Sequence, residues 1–183
     1  ADASPAGTVS QPAASQPARR DPLRVAARPS GLLVGAAIFP QALKEPRYAA
    51  TLAREFNFIT PENDMKWVRV QPEPTRWNYE PADELVKFAA THGMKIKGHC
   101  LIWHEALPKY VNDKMSADEL RSAMRDHIRT LVGHYKGRIY AWDVVNEAVG
   151  DKGPGLLRKT LFLDKLGEGY IAEAFRLAHE ADS

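Results

Sequence analysis

Side chains that can exchange protons, donate hydrogen bonds or stack on a ligand are concentrated at three points of the chain. Each group lies at the end of a short apolar run. The groups are Glu62, Asn63 and Lys66, then His99 and Trp103, and finally Asn146 and Glu147. A carboxyl group beside amides, an imidazole and an indole is typical of general acid–base chemistry on an uncharged ligand rich in hydroxyl groups. The pattern predicts one polar site built from three separate stretches of sequence.

Glu147 is the best candidate for a proton donor in this set. It follows the apolar run 139–145, which we expect to be buried for most of its length. Partial desolvation at such a tip favours the protonated form of a carboxyl group, and a general acid needs that form. The plainer alternative is that Glu147 caps the following loop or pairs with a basic side chain.

The residues before each polar group have the composition of buried strands. Runs dominated by apolar side chains predict strands over residues 32–38, 56–60, 95–103 and 139–145. Pro61 is expected to end the second strand. Because the first run is apolar at nearly every position, we expect it to be buried on both faces of a sheet.

Amphipathic segments separate these strands and predict four helices. The predicted helices run from about residue 48 to 55, from Pro81 to a stop at Gly93, from a capping box of Ser116 and Glu119 to Gly137, and from about Ile171, with Phe175 on its apolar stripe, to the end of the chain. The chain therefore alternates strand and helix four times.

Four successive strand–helix units predict an α/β fold with a parallel sheet, namely the first four units of a (β/α)8 TIM barrel. In such a barrel every strand directs its carboxyl end to the same face, where active sites lie. The three polar groups should therefore meet at one rim. A whole barrel takes about 250 residues. The 183 residues here predict half a barrel, with unpaired edges on the first and fourth strands.

Composition narrows the possible functions. A net charge of +2 without a basic cluster argues against a nucleic-acid partner, and no apolar run is long enough to span a membrane. Cys100 is the only cysteine, so we expect a buried thiol and neither a disulfide nor a cysteine-based metal cluster. Gly31 and Gly35 flank an apolar run instead of opening a helix, which argues against a dinucleotide site. We expect no metal or nucleotide cofactor.

Three long motifs resemble those of glycoside hydrolase family 10, the endo-β-1,4-xylanases. They are ITPENDMKW at 59–67, GHCLIWH at 98–104 and WDVVNEA at 142–148. Shorter segments at 31–37 and 174–182 also agree, and the resemblance extends from about Leu23 to the C-terminus. It implies a TIM-barrel enzyme that hydrolyses the β-1,4-xylosidic bonds of xylan with retention of configuration.

The resemblance also implies a role for each polar residue of the three groups. Glu147 would be the general acid/base, and Asn146 would bind the 2-hydroxyl of the sugar being cleaved. His99 and Trp103 would line the same subsite. Glu62, Asn63 and Lys66 would hydrogen-bond the neighbouring sugar on the non-reducing side. Residues 23–183 would then be the N-terminal part of a catalytic barrel.

The resemblance places the nucleophile of the reaction after a seventh strand, which this sequence does not reach. A retaining glycosidase needs two carboxyl groups about 5–5.5 Å apart. Glu62 is an alternative second carboxylate, but its strand is not adjacent to the fourth. We therefore expect the nucleophile to lie outside this chain, on a missing C-terminal half-barrel, and we expect the chain alone to be inactive and to aggregate or pair with a second half-barrel.

Residues 1–22 have a different composition from the rest of the chain. They are rich in Ala, Pro, Ser and Gln, with Pro5, Pro12 and Pro17 spaced through them. Such a segment cannot bury enough apolar surface to offset its ordering entropy, so it is predicted to be a disordered linker. A tether after a secretion signal, and hence a secreted or periplasmic protein, is the corresponding hypothesis.

Several other interpretations remain open from the sequence. The protein could be a relative that acts on β-glucan or mannan, or a non-catalytic xylan-binding half-barrel. An aldolase- or isomerase-type barrel would need a Schiff-base lysine, for which Lys97 is the only candidate. Structural alternatives apply to single residues as well: core packing for Trp67, Trp77 and Trp142, a buried hydrogen-bond partner for Asp143, and a Glu62–Lys66 ion pair.

Overall fold

The computed structural model describes residues 21–151 and 156–183. The predicted linker lies outside the described residues except for Asp21 and Pro22. Four parallel strands form one sheet in the order of the chain. They are β1 (Gly35–Ile38), β2 (Phe58–Pro61), β3 (Lys95–Ile102) and β4 (Ala141–Val145). This arrangement confirms the prediction of a partial α/β barrel.

Helices connect the strands and cover one face of the sheet. Within the described residues they are α1 (Leu23–Ala26), α2 (Pro46–Glu55), α3 (Trp67–Val70), α4 (Glu80–Thr91), α5 (Ala117–His134), α6 (Leu161–Leu166) and α7 (Gly169–Ala181), with short 3-10 helices at Arg28–Ser30 and Pro40–Lys44. The four predicted helices correspond to α2, α4, α5 and α7, one after each strand. The short helices α1, α3 and α6 were not predicted.

Local signals fixed the ends of the longest helix as expected. The Ser116 hydroxyl accepts a hydrogen bond from the Glu119 amide at 3.2 Å, and the Glu119 carboxylate accepts one from the Ser116 amide at 2.7 Å. This reciprocal capping box satisfies two amides that have no partner inside α5. Behind it, the apolar stripe that includes Leu120, Ile128 and Leu131 is fully buried against the sheet.

The helix-covered face of the sheet is a closely packed apolar layer. Ile38, Ile59 and Ile96 on neighbouring strands are at most 2% exposed. The indole of Trp142 lies directly on Gly98, where an added Cβ would come within 2.1 Å of a ring carbon. A glycine is therefore required for this contact, and the prediction that Trp142 packs in the core agrees with it.

The opposite face of the sheet carries small and polar side chains. Since side chains alternate along a strand, the open face presents Ala37, Thr60, Lys97, His99 and Asp143, and each of them is partly or fully exposed. No described element covers this face. In a closed barrel, it would become part of the interior.

Two burial predictions, for the first and fourth strands, were wrong because this face and the outer edges of the sheet have no cover among the described residues. The first strand begins at Gly35 instead of residue 32, since it pairs only with the four residues of β2, and Leu32 is 62% exposed. In β4 only Val144 is buried. Phe175, on the apolar stripe of α7, is 53% exposed.

The two outer edges of the sheet, on β1 and β4, have no strand partner among the described residues. A cavity of about 460 Å³ runs beside β4 and is lined by Tyr140, Trp142, Val144 and Phe175 among others. Unpaired edges with apolar neighbours are the places where a further strand would add. Among the helices of residues 21–151 and 156–183, none has both the length and the hydropathy to cross a membrane.

Candidate active site

The three predicted polar groups lie at one edge of the sheet. Glu62 follows the last residue of β2, Trp103 follows β3, and Asn146 and Glu147 follow β4. The strands are parallel and adjacent, so their carboxyl ends point in the same direction. The sequence prediction of a common rim therefore agrees with the geometry.

A continuous line of contacts joins the β2 end to the β4 end. The Lys66 ammonium donates to the Asn63 side-chain oxygen at 2.8 Å and lies 4.7 Å from the centre of the Trp103 indole ring. The Trp103 Nε1–H donates to Oε2 of Glu147 at 3.0 Å. Lys66 thus bonds to Asn63 instead of forming the alternative pair with Glu62.

The backbone at Glu147 is unusual. Its φ of +52° makes it the only non-glycine residue with a positive φ among the described residues. A left-handed conformation costs an L-residue about 1–2 kcal/mol, and such residues are concentrated at functional sites. The turn carries the carboxyl group out of the β4 direction and towards Trp103.

The expectation of a partly desolvated Glu147 is wrong for this chain, because the side chain is exposed. Only the β3 side contributes a described partner, namely Trp103. No described residue covers the other side of the carboxylate.

A second cluster lies deeper, on the open face of the sheet. Oδ2 of Asp143 is 2.9 Å from Nδ1 of His99 and 2.9 Å from the Lys97 ammonium. Asp143 is a hydrogen-bond partner as predicted, but its side chain is 30% exposed. An ion-paired ammonium is not the desolvated amine that Schiff-base chemistry needs, so the arrangement argues against an aldolase-type Lys97.

His99 is oriented by this cluster. When Nδ1–H donates to the Asp143 carboxylate, Nε2 is left as an acceptor on the other side of the ring. The His99 and Trp103 rings lie 6.1 Å apart, so the imidazole is adjacent to the contact line described above.

Cys100 takes no part in this chemistry. The thiol is buried as predicted, and burial raises the pKa of Cys100 to about 12. A thiol with such a pKa carries almost no thiolate at neutral pH, which excludes a cysteine nucleophile.

Backbone hydrogen bonds to the neighbouring strand place Glu62 and Asn146 at the same rim. The Glu62 amide donates to the Ile38 carbonyl and the Asn146 amide donates to the Ile102 carbonyl, each at 2.8 Å. Their side chains make no hydrogen bond to another described residue. The roles predicted for all seven residues of the rim remain predictions.

Sequence reasoning missed two residues beside Glu147. Glu105 has a carboxylate oxygen within 4.8 Å of ligand atoms of both His104 and Glu147, and this is the only group of three such donors in the described part of the chain. The three atoms could approach one cation, but two of the residues are exposed carboxylates and we assign no metal to them. Arg158 is the other missed residue, and its guanidinium donates to the Glu147 carbonyl.

A cavity of about 380 Å³ opens beside the contact line, between the β2 and β3 ends. It is lined by Asn63, Lys66, Val68, Arg69, Trp103, Glu105 and Ala106. Its mixture of an indole, an amide and charged groups suits a ligand that offers hydroxyl groups and apolar ring faces.

Two curated relatives of this chain are both named as β-1,4-xylanases. The β-1,4-xylanase of Dictyoglomus thermophilum is 44% identical over 149 residues, which cover 81% of this chain and 42% of the relative. Endo-1,4-β-xylanase B of Thermotoga neapolitana is 40% identical over 165 residues, covering 88% and 47%. The chain thus spans about half the length of the curated relatives it matches.

Solved structures give the same result for the fold. Xylanase 10B from Thermotoga petrophila RKU-1, crystallised in complex with xylobiose, superposes with a TM-score of 0.85 at 38% identity, covering 91% of this chain and 52% of that one. Native xylanase 10B from Thermotoga maritima superposes with a TM-score of 0.83 at 42% identity, covering 88% and 50%.

The sequence pattern of glycosyl hydrolase family 10 matches residues 22–183, that is, nearly all of the described chain. The family match, the relatives and the half-barrel geometry agree with one another. This chain belongs to glycosyl hydrolase family 10.

Proposed function

We propose that the protein is an endo-1,4-β-xylanase that cleaves xylan with retention of configuration, and that Glu147 is its general acid/base. The observation that carries the proposal is the position of the Glu147 carboxylate. It projects from the end of β4, bonded to the Trp103 indole, onto the rim that also holds Asn63 and Lys66. Family membership and xylanase relatives support this assignment.

The proposed reaction has two steps. In the first, Glu147 gives its proton to the glycosidic oxygen while a second carboxylate attacks the anomeric carbon, so that the glycosidic bond breaks and a covalent glycosyl-enzyme forms. In the second, the Glu147 carboxylate takes a proton from water, whose oxygen displaces the enzyme carboxylate. Two inversions at the anomeric carbon give net retention.

The remaining residues of the rim are proposed to hold the sugar chain. The side-chain amide of Asn146 is adjacent to Glu147 and would hydrogen-bond the 2-hydroxyl of the sugar being cleaved. His99 and Trp103 would line that subsite, with the free Nε2 of His99 directed at the sugar. Glu62, Asn63 and Lys66, at the β2 end, would bind the next sugar on the non-reducing side.

The second carboxylate is proposed to come from a C-terminal half-barrel. The open face and the unpaired β1 and β4 edges leave room for further strands, whose carboxyl ends would join the same rim. Within the described residues the alternatives are Glu62, which follows a strand that is not adjacent to β4, and Glu105. The Glu105 carboxylate lies within 4.8 Å of the Glu147 carboxylate and lines the cavity next to Trp103. A nucleophile must instead face the general acid from the opposite side of the sugar ring.

The cellular location is part of the same proposal. Because polymeric xylan does not cross the cytoplasmic membrane, we expect an enzyme that acts on it to lie outside the cytoplasm, either secreted or periplasmic. The predicted linker over residues 1–22 would tether the catalytic domain that begins near Leu23.

Substitution of the two neighbouring carboxylates tests the assignment. In the whole protein, E147Q keeps the size of the side chain but removes its proton, and we expect the hydrolysis of xylotriose to fall by roughly 10²–10⁴-fold. The matched variant E105Q should reduce the rate far less. Xylotriose cleavage, reducing-sugar release from xylan and from β-glucan, and xylo-oligosaccharide binding would be measured for the wild-type protein and for both variants.

Each outcome of that experiment has a distinct meaning. An equal loss in E105Q and E147Q would place the catalytic pair within this chain. Undiminished hydrolysis by E147Q would remove Glu147 from its proposed role. Binding of xylo-oligosaccharides by the wild-type protein without any cleavage would favour the non-catalytic alternative, and faster cleavage of β-glucan than of xylan would change the substrate.

A further inference from the structure

In the loop after β4, one arginine bonds back to the backbone at Glu147 and at the next residue. Arg158 Nε donates to the Glu147 carbonyl at 3.0 Å, and the Arg158 amide donates to the Ala148 carbonyl at 2.7 Å. Val149 and Leu157 form an antiparallel bridge, and the Gly150 amide donates to the Leu156 carbonyl at 2.8 Å. Arg158 therefore joins the segment after the bridge to Glu147, two residues beyond the end of β4.

A carboxylate fixes the orientation of this guanidinium. Asp151 accepts from both terminal nitrogens of Arg158, at 3.0 and 3.2 Å. This bidentate geometry fixes the plane of the guanidinium as well as its position. The hydrogen bond to Asp151 raises the pKa of Arg158, with a smaller contribution from the charge of Glu147. The Arg158 side chain is 24% exposed, so the fork is held at the surface of the loop and not free in solvent.

Glu147 is consequently held at two points of different kinds. Trp103 holds its carboxylate, and Arg158 holds its backbone carbonyl. The backbone between these points is in the left-handed region, which a glutamate does not adopt without support from its surroundings. An extended backbone at this position would send the side chain in another direction, away from the rim.

We propose that Arg158, oriented by Asp151, is a positioning residue for the general acid/base Glu147. It acts by holding the Glu147 backbone in the conformation that directs the carboxyl group at the glycosidic oxygen. The proposal rests on the proposed function of Glu147. It adds a requirement that no residue of the rim provides, since none of them bonds to the Glu147 carbonyl.

Two substrates with different leaving groups distinguish a positioning role of Arg158 from a general role in the stability of the fold. Xylotriose releases a sugar alkoxide, which needs a proton from Glu147 as the glycosidic bond breaks. A dinitrophenyl β-xylobioside releases a stable phenolate, which needs no proton. A misplaced Glu147 therefore slows the first step with xylotriose and leaves the first step with the aryl substrate unchanged, whereas a damaged fold slows both.

The experiment measures kcat/KM for both substrates in the whole enzyme and in the variants R158K, R158Q and D151N. R129Q is the control, because Arg129 makes an exposed ion pair with Glu180 on the other side of the molecule. We expect R158K and R158Q to lose about 10- to 100-fold with xylotriose, which is less than the roughly 10²–10⁴-fold that general acid catalysis contributes, because Glu147 is misplaced but not removed. Losses with the aryl substrate should stay within about threefold, D151N should show a smaller selective loss, and R129Q should show none.

Equal losses on the two substrates, or no loss on either, would overturn the proposal. If R158Q does not fold, R158K and D151N decide the matter, because both keep a charged or polar side chain of similar size. A wild-type enzyme that cleaves neither substrate would refute the proposed function itself, which is a separate outcome from a wild-type enzyme that is active and insensitive to Arg158.

Discussion

The two faces of the four-stranded sheet differ in composition although their residues alternate along the same strands. Ile96 and Gly98 face the helices and are buried, whereas Lys97 and His99, between and beside them, face the open side and are partly exposed. One face has a complete apolar core, and the other has an ion-paired cluster and no cover. The helix-covered face therefore stabilises the fold, whereas the open face carries the polar groups that are suited to chemistry.

This separation explains how the four described strands can be well packed on one face while the side chains of the other face stay in contact with water. The helix-covered face buries its side chains against α4 and α5, which belong to the same chain. The open face needs further strands before Asp143 and the carboxylate of Glu147 lose contact with water. Substitutions on the two faces should therefore affect different properties.

The largest expected effect is a loss of unfolding free energy, and it should differ strongly between two adjacent residues of β3. I96A removes a side chain that is 2% exposed, and such truncations cost roughly 2–5 kcal/mol. K97A removes one partner of a half-exposed ion pair, and we expect a cost of about 1 kcal/mol or less. Urea denaturation of the 183-residue chain measures both. Similar losses for I96A and K97A would show that the open face contributes to the core after all.

A second, smaller effect concerns the pH dependence of the helix-covered core. His127 is fully buried, stacked on Trp67 at 4.1 Å between ring centres, with Nδ1 2.9 Å from the Gln71 side-chain oxygen. Burial lowers the pKa of His127 to about 3, from a usual value of 6.5. Below pH 6.5 the unfolded chain therefore binds a proton that the folded chain excludes, and stability falls as the pH falls.

We expect His127 to lower the free energy of unfolding of the wild-type chain by about 1 kcal/mol between pH 6.5 and about 5.5, and by about 1.4 kcal/mol for each further pH unit. The variant H127Q cannot titrate at this position. Because the carboxylates are common to both proteins, the difference between the two pH profiles isolates His127. A constant difference across this pH range would contradict a buried neutral imidazole.

The smallest effect concerns the open edge at β4. Tyr140 and Phe175 are 56% and 53% exposed beside the unpaired strand, so we expect the isolated chain to self-associate through this surface. F175K should weaken association by up to about tenfold, because only the exposed half of Phe175 remains to be buried and burying a whole phenylalanine contributes about 1.5–3 kcal/mol. It should leave the free energy of unfolding of the monomer nearly unchanged.

Analytical ultracentrifugation over a range of concentrations measures that association. R176Q, at the exposed neighbour of Phe175 on α7, is the matched control. A chain that stays monomeric at high concentration would show that the edges are protected by something other than a strand partner.

Local sequence signals predicted most of the fold. The capping box at Ser116 and Glu119, the stop at Gly93 and the strands that end just before Glu62, Trp103 and Asn146 depend on residues close together in the chain. The first strand was predicted too long because its length is set by its partner, since β1 pairs only along the four residues of β2. Strand pairing depends on residues far apart in the chain, so an apolar run alone does not predict where a strand begins.

The sequence predicted which residues lie at the site, but it did not predict which side chains contact one another there. The motifs brought Lys66, Trp103 and Glu147 to one rim, yet the bonds from Lys66 to Asn63 and from Trp103 to Glu147 depend on side-chain direction. The exposure of Glu147 was mispredicted because the groups that would desolvate it are absent from the described residues. Arg158 was missed because its function depends on a loop that returns across eleven residues to the Glu147 carbonyl.

The most direct test of the central claim is to locate the covalent intermediate in the whole enzyme. A fluorinated xylobioside with a good leaving group traps the glycosyl-enzyme, and peptide mass spectrometry identifies the labelled carboxylate. We predict a label on a carboxylate that does not belong to residues 21–183, with the peptide that contains Glu147 unlabelled. A label on Glu62, Glu105 or Glu147 would contradict it.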